Sequence, residues 1–372
     1  LKFILISPKN RTVYNFRGDL IKDIISNGYE VIVTGPNLDN IDKITELGAR
    51  FEQIPLDKTG LNVVADIKYL FNLIKLFKRE KPDVTFGYTI KPVIYGSIAA
   101  KLAGVNNINS MVTGVGYVFT ATTRKARIIK FFASILYRLG FSCADTVIFQ
   151  NKDDLHEFTE LGLLNKGKCQ LIDGSGVNME KFLAAEFPKQ LTFFMLSRVM
   201  YSKGIREYLE AAREIKSNNK NVRFMLLGAI ENMQDSMSKE DLETYIDDGT
   251  IEHYGETNDV LSYYKMSSVY VLPSYREGTP RTVLEAMAVG RPIITTDAPG
   301  CRETVIDGKN GFLIAPKSTD QLVEKMQLFI KNPNLIKQMG DSSYELCKKK
   351  YDVKKVNKKM LSFLKISNEG VN

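Results

Sequence analysis

A chain of 372 residues, 44% hydrophobic and 25% charged, has the length for two domains and an ordinary globular composition, which excludes disordered, collagen-like and coiled-coil chains. The net charge is +8, and with two histidines and four isolated cysteines (Cys143, Cys169, Cys301, Cys347) neither a His-rich metal site nor a CxxC centre is expected, only reduced core thiols of the cytoplasm. The longest uncharged stretch, Leu102 to Thr123, holds Asn106, Asn107, Asn109, Ser110 and four Thr, so no membrane-spanning helix is expected. Nor is a cleavable leader, since the N-terminus enters a strand pattern directly.

Short apolar runs alternate with amphipathic stretches along the chain, the signature of βα units around a parallel sheet. Strands are predicted at Phe3–Ser7, Val31–Thr34, Phe51–Ile54, Val84–Tyr88, Ile108–Val112, Thr146–Phe149 and Gln170–Ile172. Helical spacing covers Phe16–Ser26, Asp39–Leu47, Asn62–Lys78, Pro92–Leu102, Arg124–Leu139 and Lys152–Leu161. After Phe182 an Ala-Ala-Glu-Phe-Pro-Lys stretch intervenes, and the alternation restarts at Thr192–Leu196. Further strands are predicted at Val222–Leu227, Glu252–Tyr254, Val269–Pro273, Pro292–Thr295 and Gly311–Ile314. The spacing therefore predicts two doubly wound α/β domains, 1–182 and 183–351, each with a ligand crevice at the carboxyl ends of its strands. A Lys-rich amphipathic helix at about 352–372 is expected to pack back on the first domain.

The charge is uneven. From Lys58 to Arg138, thirteen Lys and Arg face three acids, Asp66, Glu80 and Asp83, a local +10. In Asn62–Lys78 and just beyond, Lys68, Lys75 and Arg79 separate from Val63, Ile67, Leu70, Ile74 and Phe77. In Arg124–Leu139, Arg127, Lys130 and Arg138 separate from Ile128, Phe132, Ile135 and Leu139, with Phe131 and Tyr137 beside the basic stripe. An apolar stripe commonly packs on a sheet, but this local charge points to an anionic membrane surface, with Arg124, Lys125, Arg127 and Lys130 as contacts.

The densest chemical signal runs from Leu272 to Asp297. A buried strand ends at Pro273, a loop carries Glu277 and Gly278, and a helix opens near Pro280, a residue suited to a first helical turn. Amides at Thr282 and Val283 would form a phosphate cradle there. Glu277 and Glu285, eight residues apart, could address opposite ends of an elongated ligand, or be no more than solvated side chains. A second cluster, Met195 to Gly204, places Arg198 and Lys203 after a strand, where two cations could neutralise a diphosphate. The glycine-rich Asp173-Gly-Ser-Gly176 suits a crossover or an ordinary turn. Asp153-Asp154 and Asp247-Asp248 are adjacent pairs, read as cap and surface charges, so a carboxylate metal site is not expected.

The Glu277 to Glu285 spacing, Arg198 with Lys203-Gly204, the Gly255 turn after His253-Tyr254, and Gly300, Glu303, Gly308 and Gly311 in order resemble the nucleotide-sugar half of glycosyltransferase family 4, retaining enzymes of the GT-B fold. The resemblance covers the whole chain. Tyr14-Asn-Phe-Arg17, the Lys91 to Ala100 segment and Thr113-Gly-Val-Gly116 are similar to bacterial members that build capsule, exopolysaccharide or lipid-linked oligosaccharide. It implies two Rossmann-like domains facing across a cleft, the first for the acceptor and the second for the nucleotide sugar.

Carried over by position, the resemblance makes Glu277, Arg198 and Lys203 catalytic. The two cations would hold the diphosphate and Glu277 the donor sugar's hydroxyls. Glu285 would take the ribose, and Gly278, Thr279, Pro280, Arg281, Thr282 and Val283 would line the sugar and phosphate. Tyr254, Gly255, Glu256 and Thr257 would meet the base, and Ser197 would sit beside the nucleotide. Arg17, Lys91 and Thr113 fall on the acceptor side. Many members carry a His facing the anomeric carbon; Ser110 to Gly116 has none, and Gly114 and Gly116 would instead let the backbone approach the donor. The implied donor is a UDP-sugar, preferably an N-acetylhexosamine, and the acceptor a sugar on a polyprenyl (undecaprenyl) diphosphate. No metal or other cofactor is required, since two cations and a helix terminus can offset the leaving group's charge. A sugar-nucleotide 2-epimerase shares the architecture but uses several histidines. A nucleic-acid-binding protein, suggested by the pI near 9.0, lacks a recognisable module, so no nucleic-acid partner is expected. The expected setting is cytoplasmic, peripheral on the inner face of the cell membrane.

Overall fold

The computed structural model describes residues 1–57, 62–114, 124–233 and 235–366. In chain order the elements are β1 (Lys2–Ile6), α1 (Asn10–Ser26), β2 (Glu30–Gly35), α2 (Ile41–Thr45), β3 (Arg50–Gln53), α3 (Val63–Glu80) and β4 (Val84–Tyr88). A π-helical turn (Pro92–Gly96) leads into α4 (Ser97–Ala103), followed by β5 (Asn107–Val112), α5 (Arg124–Cys143), β6 (Thr146–Phe149), α6 (Lys152–Glu160) and β7 (Cys169–Leu171). Then come β8 (Thr192–Leu196), α7 (Ile205–Asn218), β9 (Arg223–Leu227), α8 (Lys239–Asp247), β10 (Glu252–His253), α9 (Val260–Lys265), β11 (Val269–Leu272) and α10 (Arg281–Ala288). The chain continues through β12 (Ile293–Thr296), β13 (Gly311–Ile314), α11 (Thr319–Lys331), α12 (Asn334–Lys350) and α13 (Val353–Phe363).

Contacts divide the chain into two units, Leu1–Ser175 with the segment from Lys354 on, and Gly176–Val353. The division precedes Phe182 because Val177 and Phe182 already belong to the second unit's core. Val177 also exchanges backbone hydrogen bonds with the other end of that unit, its N–H donating to Tyr351 O (2.8 Å) and its carbonyl accepting from Val353 N–H (2.9 Å). The segment after Phe182 is held by the buried Arg291, whose guanidinium donates to the carbonyls of Ala185 and Glu186.

The first unit's sheet has the order β3-β2-β1-β4-β5-β6-β7, with the paired strands parallel. Successive residues of a strand point to opposite faces, so β1 feeds two cores. Ile4 and Ile6 pack with Tyr69, Leu73, Val93, Ile94, Tyr137 and Phe141 from α3, the π turn and α5. Phe3 and Leu5 pack with Val13, Leu20 and Ile24 of α1 and with Val356, Met360 and Leu364 of the terminal segment. The returning helix α13 is also pinned by polar contacts, Asn357 donating to Asp23 (2.7 Å) and Asn107 to the Leu364 carbonyl (2.7 Å). The second unit's sheet, β10-β9-β8-β11-β12-β13, is built the same way.

Strand order reverses between β1 and β4 in the first sheet and between β8 and β11 in the second. Such switch points leave a crevice beyond the strands' carboxyl ends. In the first unit Ser7 and Tyr88 stand there, and in the second Ser197 and Pro273.

Several local expectations shift. Helix α1 starts at Asn10, six residues before Phe16, and the helix expected from Pro92 opens as a π turn. Cys143 and Cys169 are half-buried, not core thiols. Tyr137, expected beside a basic surface stripe, is buried against Phe141 and Phe158.

Candidate active site

In the second unit the tails of β8, β9 and β10 form one shelf. Ser197 N–H donates to Leu227 O (3.0 Å), Gly228 N–H to Gly255 O (2.6 Å), and His253 Nε2 lies 2.8 Å from Gly228 O. Arg198 projects from this shelf, half exposed, with Nη1 3.0 Å from Glu231 Oε2. Its acidic partner, on the loop after β9, is a residue the sequence did not single out.

Lys203 ends a short 3-10 turn, and Gly204 then opens α7 with a φ of +75°. A Cβ at Gly204 would lie 2.2 Å from Pro273 O, so the residue's lack of a side chain lets the two strand ends meet. Lys203 Nζ lies 2.5 Å from Glu277 Oε1. The structure thus brings together the two groups assigned to diphosphate and sugar, as an ion pair. Glu277 sits on a loop tied to its surroundings by Tyr275 N–H donating to Ser202 O (2.9 Å) and by its own N–H donating to Pro299 O (2.9 Å). Gly300 (φ +79°) crosses beneath, where a Cβ would fall 2.1 Å from Glu277 O.

Pro280 is the N-cap of α10 and not within its first turn. Val283 N–H donates back to Pro280 O (3.0 Å), which removes that amide from the expected phosphate cradle. Glu285, one helical turn along, accepts from Arg281 Nε (3.2 Å) on one oxygen and from the Tyr264 hydroxyl (3.1 Å) on the other. The same Tyr264 hydroxyl lies 2.9 Å from Thr282 O, so its single proton is shared between the two acceptors. Burial pushes the Glu285 carboxyl up, and Arg281 opposes that shift. Each of the two glutamates therefore has its own cation, Lys203 for Glu277 and Arg281 for Glu285. Gly278 is buried, and Thr279 is half-buried.

The residues expected at the base separate. The Tyr254 hydroxyl is engaged by Arg223 (2.6 Å) and Glu252 (2.6 Å), and its ring lies against Tyr263 with centroids 4.9 Å apart. What Tyr254 brings to the shelf is backbone, its N–H donating to Leu226 O at 3.0 Å. Gly255 lies on the shelf, Thr257 Oγ1 accepts from Asp259 N–H (3.1 Å), and Glu256 is exposed.

In the first unit the Tyr88 hydroxyl lies 2.8 Å from both Ser7 Oγ and Thr12 Oγ1. Arg17 is buried with its guanidinium 5.2 Å from the Tyr88 ring centroid. Lys91, also largely covered, pairs with Asp66 at 2.7 Å, and Tyr95 donates to the other Asp66 oxygen at 3.1 Å. Thr113 and Gly114 are half-buried after β5, and Gly114 has a φ of +132°. Gly116 and the side chains of Arg124 and Lys125 lie outside the described residues. Arg127 is exposed, and Lys130 Nζ stands 3.6 Å from Glu157. Phe131, Phe132, Ile135 and Leu139 of α5 are exposed, as are Val63, Val64, Ile67 and Phe71 of α3. No helix among the described residues is long and apolar enough to cross a membrane.

Comparison with known proteins bears on the family and the fold. Residues 3–151 match the "Glycosyl transferase 4-like" family model and residues 179–346 "Glycosyl transferases group 1". The chain is 28% identical over 344 residues, 89% of each chain, to the Campylobacter jejuni N,N'-diacetylbacillosaminyl-diphospho-undecaprenol alpha-1,3-N-acetylgalactosaminyltransferase. It is 28% identical over 307 residues, 79% of this chain and 77% of the other, to the Escherichia coli UDP-Gal:alpha-D-GlcNAc-diphosphoundecaprenol alpha-1,3-galactosyltransferase. Among solved structures, Anabaena Alr3699/HepE in complex with UDP superposes with a TM-score of 0.78 at 16% identity, covering 98% of this chain and 100% of that one. Two doubly wound parallel α/β units of the GT-B fold, matched in both halves, show that the chain belongs to the group 1 and family 4-like glycosyltransferases.

Proposed function

We propose that this glycosyltransferase moves an N-acetylhexosamine from a UDP-sugar, with retention and without a metal, to a sugar on undecaprenyl diphosphate at the inner face of the cell membrane. The observation that carries the reading is the Lys203–Glu277 pair at the β8/β11 switch point, with Arg198 on the adjoining shelf. A diphosphate arriving there competes with Glu277 for Lys203. As Lys203 turns to phosphate, Glu277 is released to accept from the donor sugar's hydroxyls, so binding and sugar orientation are one exchange. Arg198 adds a second cation, and hydrogen bonds to charged groups contribute about 1.5 to 3 kcal/mol each. Positive charge aimed at the departing diphosphate favours the transition state, where that charge is largest. The acceptor hydroxyl attacks the face the nucleotide leaves, and the leaving phosphate takes its proton. The UDP-Gal donor of the Escherichia coli relative supports the UDP-sugar, the N-acetylgalactosaminyl group moved by the Campylobacter jejuni relative supports the N-acetylhexosamine, and the undecaprenol-diphosphate acceptors of both support the lipid diphosphate.

The test is a thermal-shift comparison of UDP, GDP and ADP with EDTA present, followed by a transfer assay under the same chelation. UDP at 100 times its dissociation constant should stabilise the protein by about 2.7 kcal/mol, and GDP and ADP by less. Stronger stabilisation by GDP would overturn the donor assignment. Activity lost on chelation and restored by manganese would overturn the metal-free one.

A further inference from the structure

Two segments of the second unit carry the donor-facing charges, and several side-chain bonds join them, Ser274 Oγ to Ser202 O (3.3 Å) among them; two of these bonds bear on Glu277. One joint is the Lys203–Glu277 ion pair, made by the very groups that must let go when a nucleotide sugar binds. The other lies beside it. Tyr275, two residues before Glu277, donates its hydroxyl to Glu207 Oε1 at 2.7 Å, and Glu207 is four residues beyond Lys203 on the first turn of α7. Glu207 is 5% exposed, and its second oxygen, Oε2, is buried with no hydrogen-bond partner among the described residues. A buried carboxylate satisfied on one side only is unfavourable compared with an apolar side chain of similar size. Packing alone therefore argues against glutamate at 207; what the position gains from it is the bond to Tyr275. The Tyr275 ring also has Lys317 Nζ, from the turn after β13, 5.2 Å from its centroid, so ring and hydroxyl each have a contact.

We infer that Glu207 and Tyr275 are a positioning couple, keeping the Glu277 loop in register with the Lys203 turn while the Lys203–Glu277 pair is open. This rests on the proposed donor reading. Once Lys203 has moved to phosphate, Tyr275 to Glu207 still ties that loop to α7, supported by Tyr275 N–H and Ser274 Oγ, which both donate to Ser202 O. Without the Tyr275–Glu207 bond the loop keeps its backbone bonds, Tyr275 N–H to Ser202 O and Glu277 N–H to Pro299 O, but loses the side-chain tie to α7 that sets its register, and a displacement of about 1 Å can lower turnover by up to about 100-fold. Neither residue is assigned a contact with the substrate; both act through Glu277.

The test uses the full chain with Tyr275→Phe, Glu207→Leu, Glu207→Gln and the double variant Glu207→Leu/Tyr275→Phe. Hydrogen exchange at the Tyr275 and Glu277 amides needs no ligand. It should quicken about fivefold to tenfold in Tyr275→Phe and Glu207→Leu, the loss expected for one hydrogen bond, while β11 and the body of α7 stay protected. In transfer assays kcat should fall about tenfold with UDP affinity within about twofold, the split expected for a lost orientation and not a lost contact. Glu207→Gln, whose amide oxygen still accepts from Tyr275, should restore most of the turnover. The double variant should be no worse than either single one, because both remove the same bond. Unchanged exchange in the near-isosteric Tyr275→Phe, or additive losses in the double variant, overturns the couple. A wild type that ignores UDP overturns the donor reading alone, since the exchange comparison stands without it.

Discussion

Glu285 and Glu277 look alike in sequence, yet their surroundings set them different tasks. Glu285 is largely covered and already holds Arg281 and Tyr264, a rigid acceptor suited to hydroxyls that UDP itself carries. Glu277 is bound to Lys203, and in the proposed exchange it competes with phosphate. Glu285→Ala should therefore weaken UDP binding by about tenfold or more, the value of one or two hydrogen bonds to a charged group. Glu277→Ala frees Lys203, so UDP affinity should hold or rise while transfer falls. Titration calorimetry with UDP separates the two, and equal loss of affinity in both variants would sink the assignment. Both glutamates were legible because charged residues after a buried strand and across a helix start form a local pattern. Glu231 and Glu207 were not, because their partners Arg198 and Tyr275 lie 33 and 68 residues away, and no spacing rule connects such distances.

At the level of elements, strands were easier to read than helix ends. A parallel strand buried on both faces appears as an uninterrupted apolar run, and β4, β6, β8 and β13 lie where those runs do. Helix α1 begins earlier than its apolar spacing because its first turn is fastened by polar groups: Asn10 donates to the carbonyls of Asn37 and Asp39, and Thr12 meets Tyr88. A different polar device locks α3 to β1 and β3. Glu80, at the end of α3, accepts from Arg50 (2.6 Å), Lys2 (3.1 Å) and Arg79 (2.9 Å). Arg50 above all, with Lys2 and Arg79, holds its carboxyl down at about 2 despite the opposing effect of burial. A carboxyl whose pKa is depressed on folding stabilises the fold above its unfolded value, and that contribution disappears as pH falls through the folded one. Arg50 and Arg79 are well exposed, so screening reduces the contribution to about 1 kcal/mol. Glu80→Gln should accordingly be less stable than wild type at pH 7, with the gap closing between about pH 4.5 and pH 2. Urea titrations across that range check it; a gap independent of pH would mean that shape and not charge matters at this position.

For the molecule as a whole, the excess of positive charge between Lys58 and Arg138 finds little neutralisation inside its own unit. The three acids of that stretch are engaged: Asp66 by Lys91, Glu80 by Arg50, Lys2 and Arg79, and Asp83 by the Lys2 amide. Lys68, Lys75, Lys78, Lys101 and Arg127 remain exposed. Helix α4 touches both α3 and α5, so the exposed apolar residues of those two helices flank one layer of the first unit, with Val64 78% and Phe131 62% accessible. Spacing alone revealed that these helices are amphipathic, but not which side meets the sheet. Helix α5 is apolar on two sides, and Tyr137 and Phe141 take the core while Phe131, Phe132, Ile135 and Leu139 do not. Exposed apolar side chains on helices that also carry exposed cations match the chemistry of an anionic bilayer surface, where each nearby Lys or Arg contributes about 1 kcal/mol and shallow insertion of aromatic residues adds to it. Wild-type protein should co-sediment with vesicles containing anionic lipid at low salt and release as salt shortens the Debye length. Replacing Arg124, Lys125, Arg127 and Lys130 with Glu should abolish most of that binding; the Lys130 contribution should be smaller because Glu157 already faces it. Phe71→Ser with Phe131→Ser should weaken binding while leaving its salt dependence intact. Wild type that ignores anionic vesicles, or a quadruple variant that binds them equally well, would remove the membrane from this enzyme's surface while leaving the transferase chemistry of the second unit untouched.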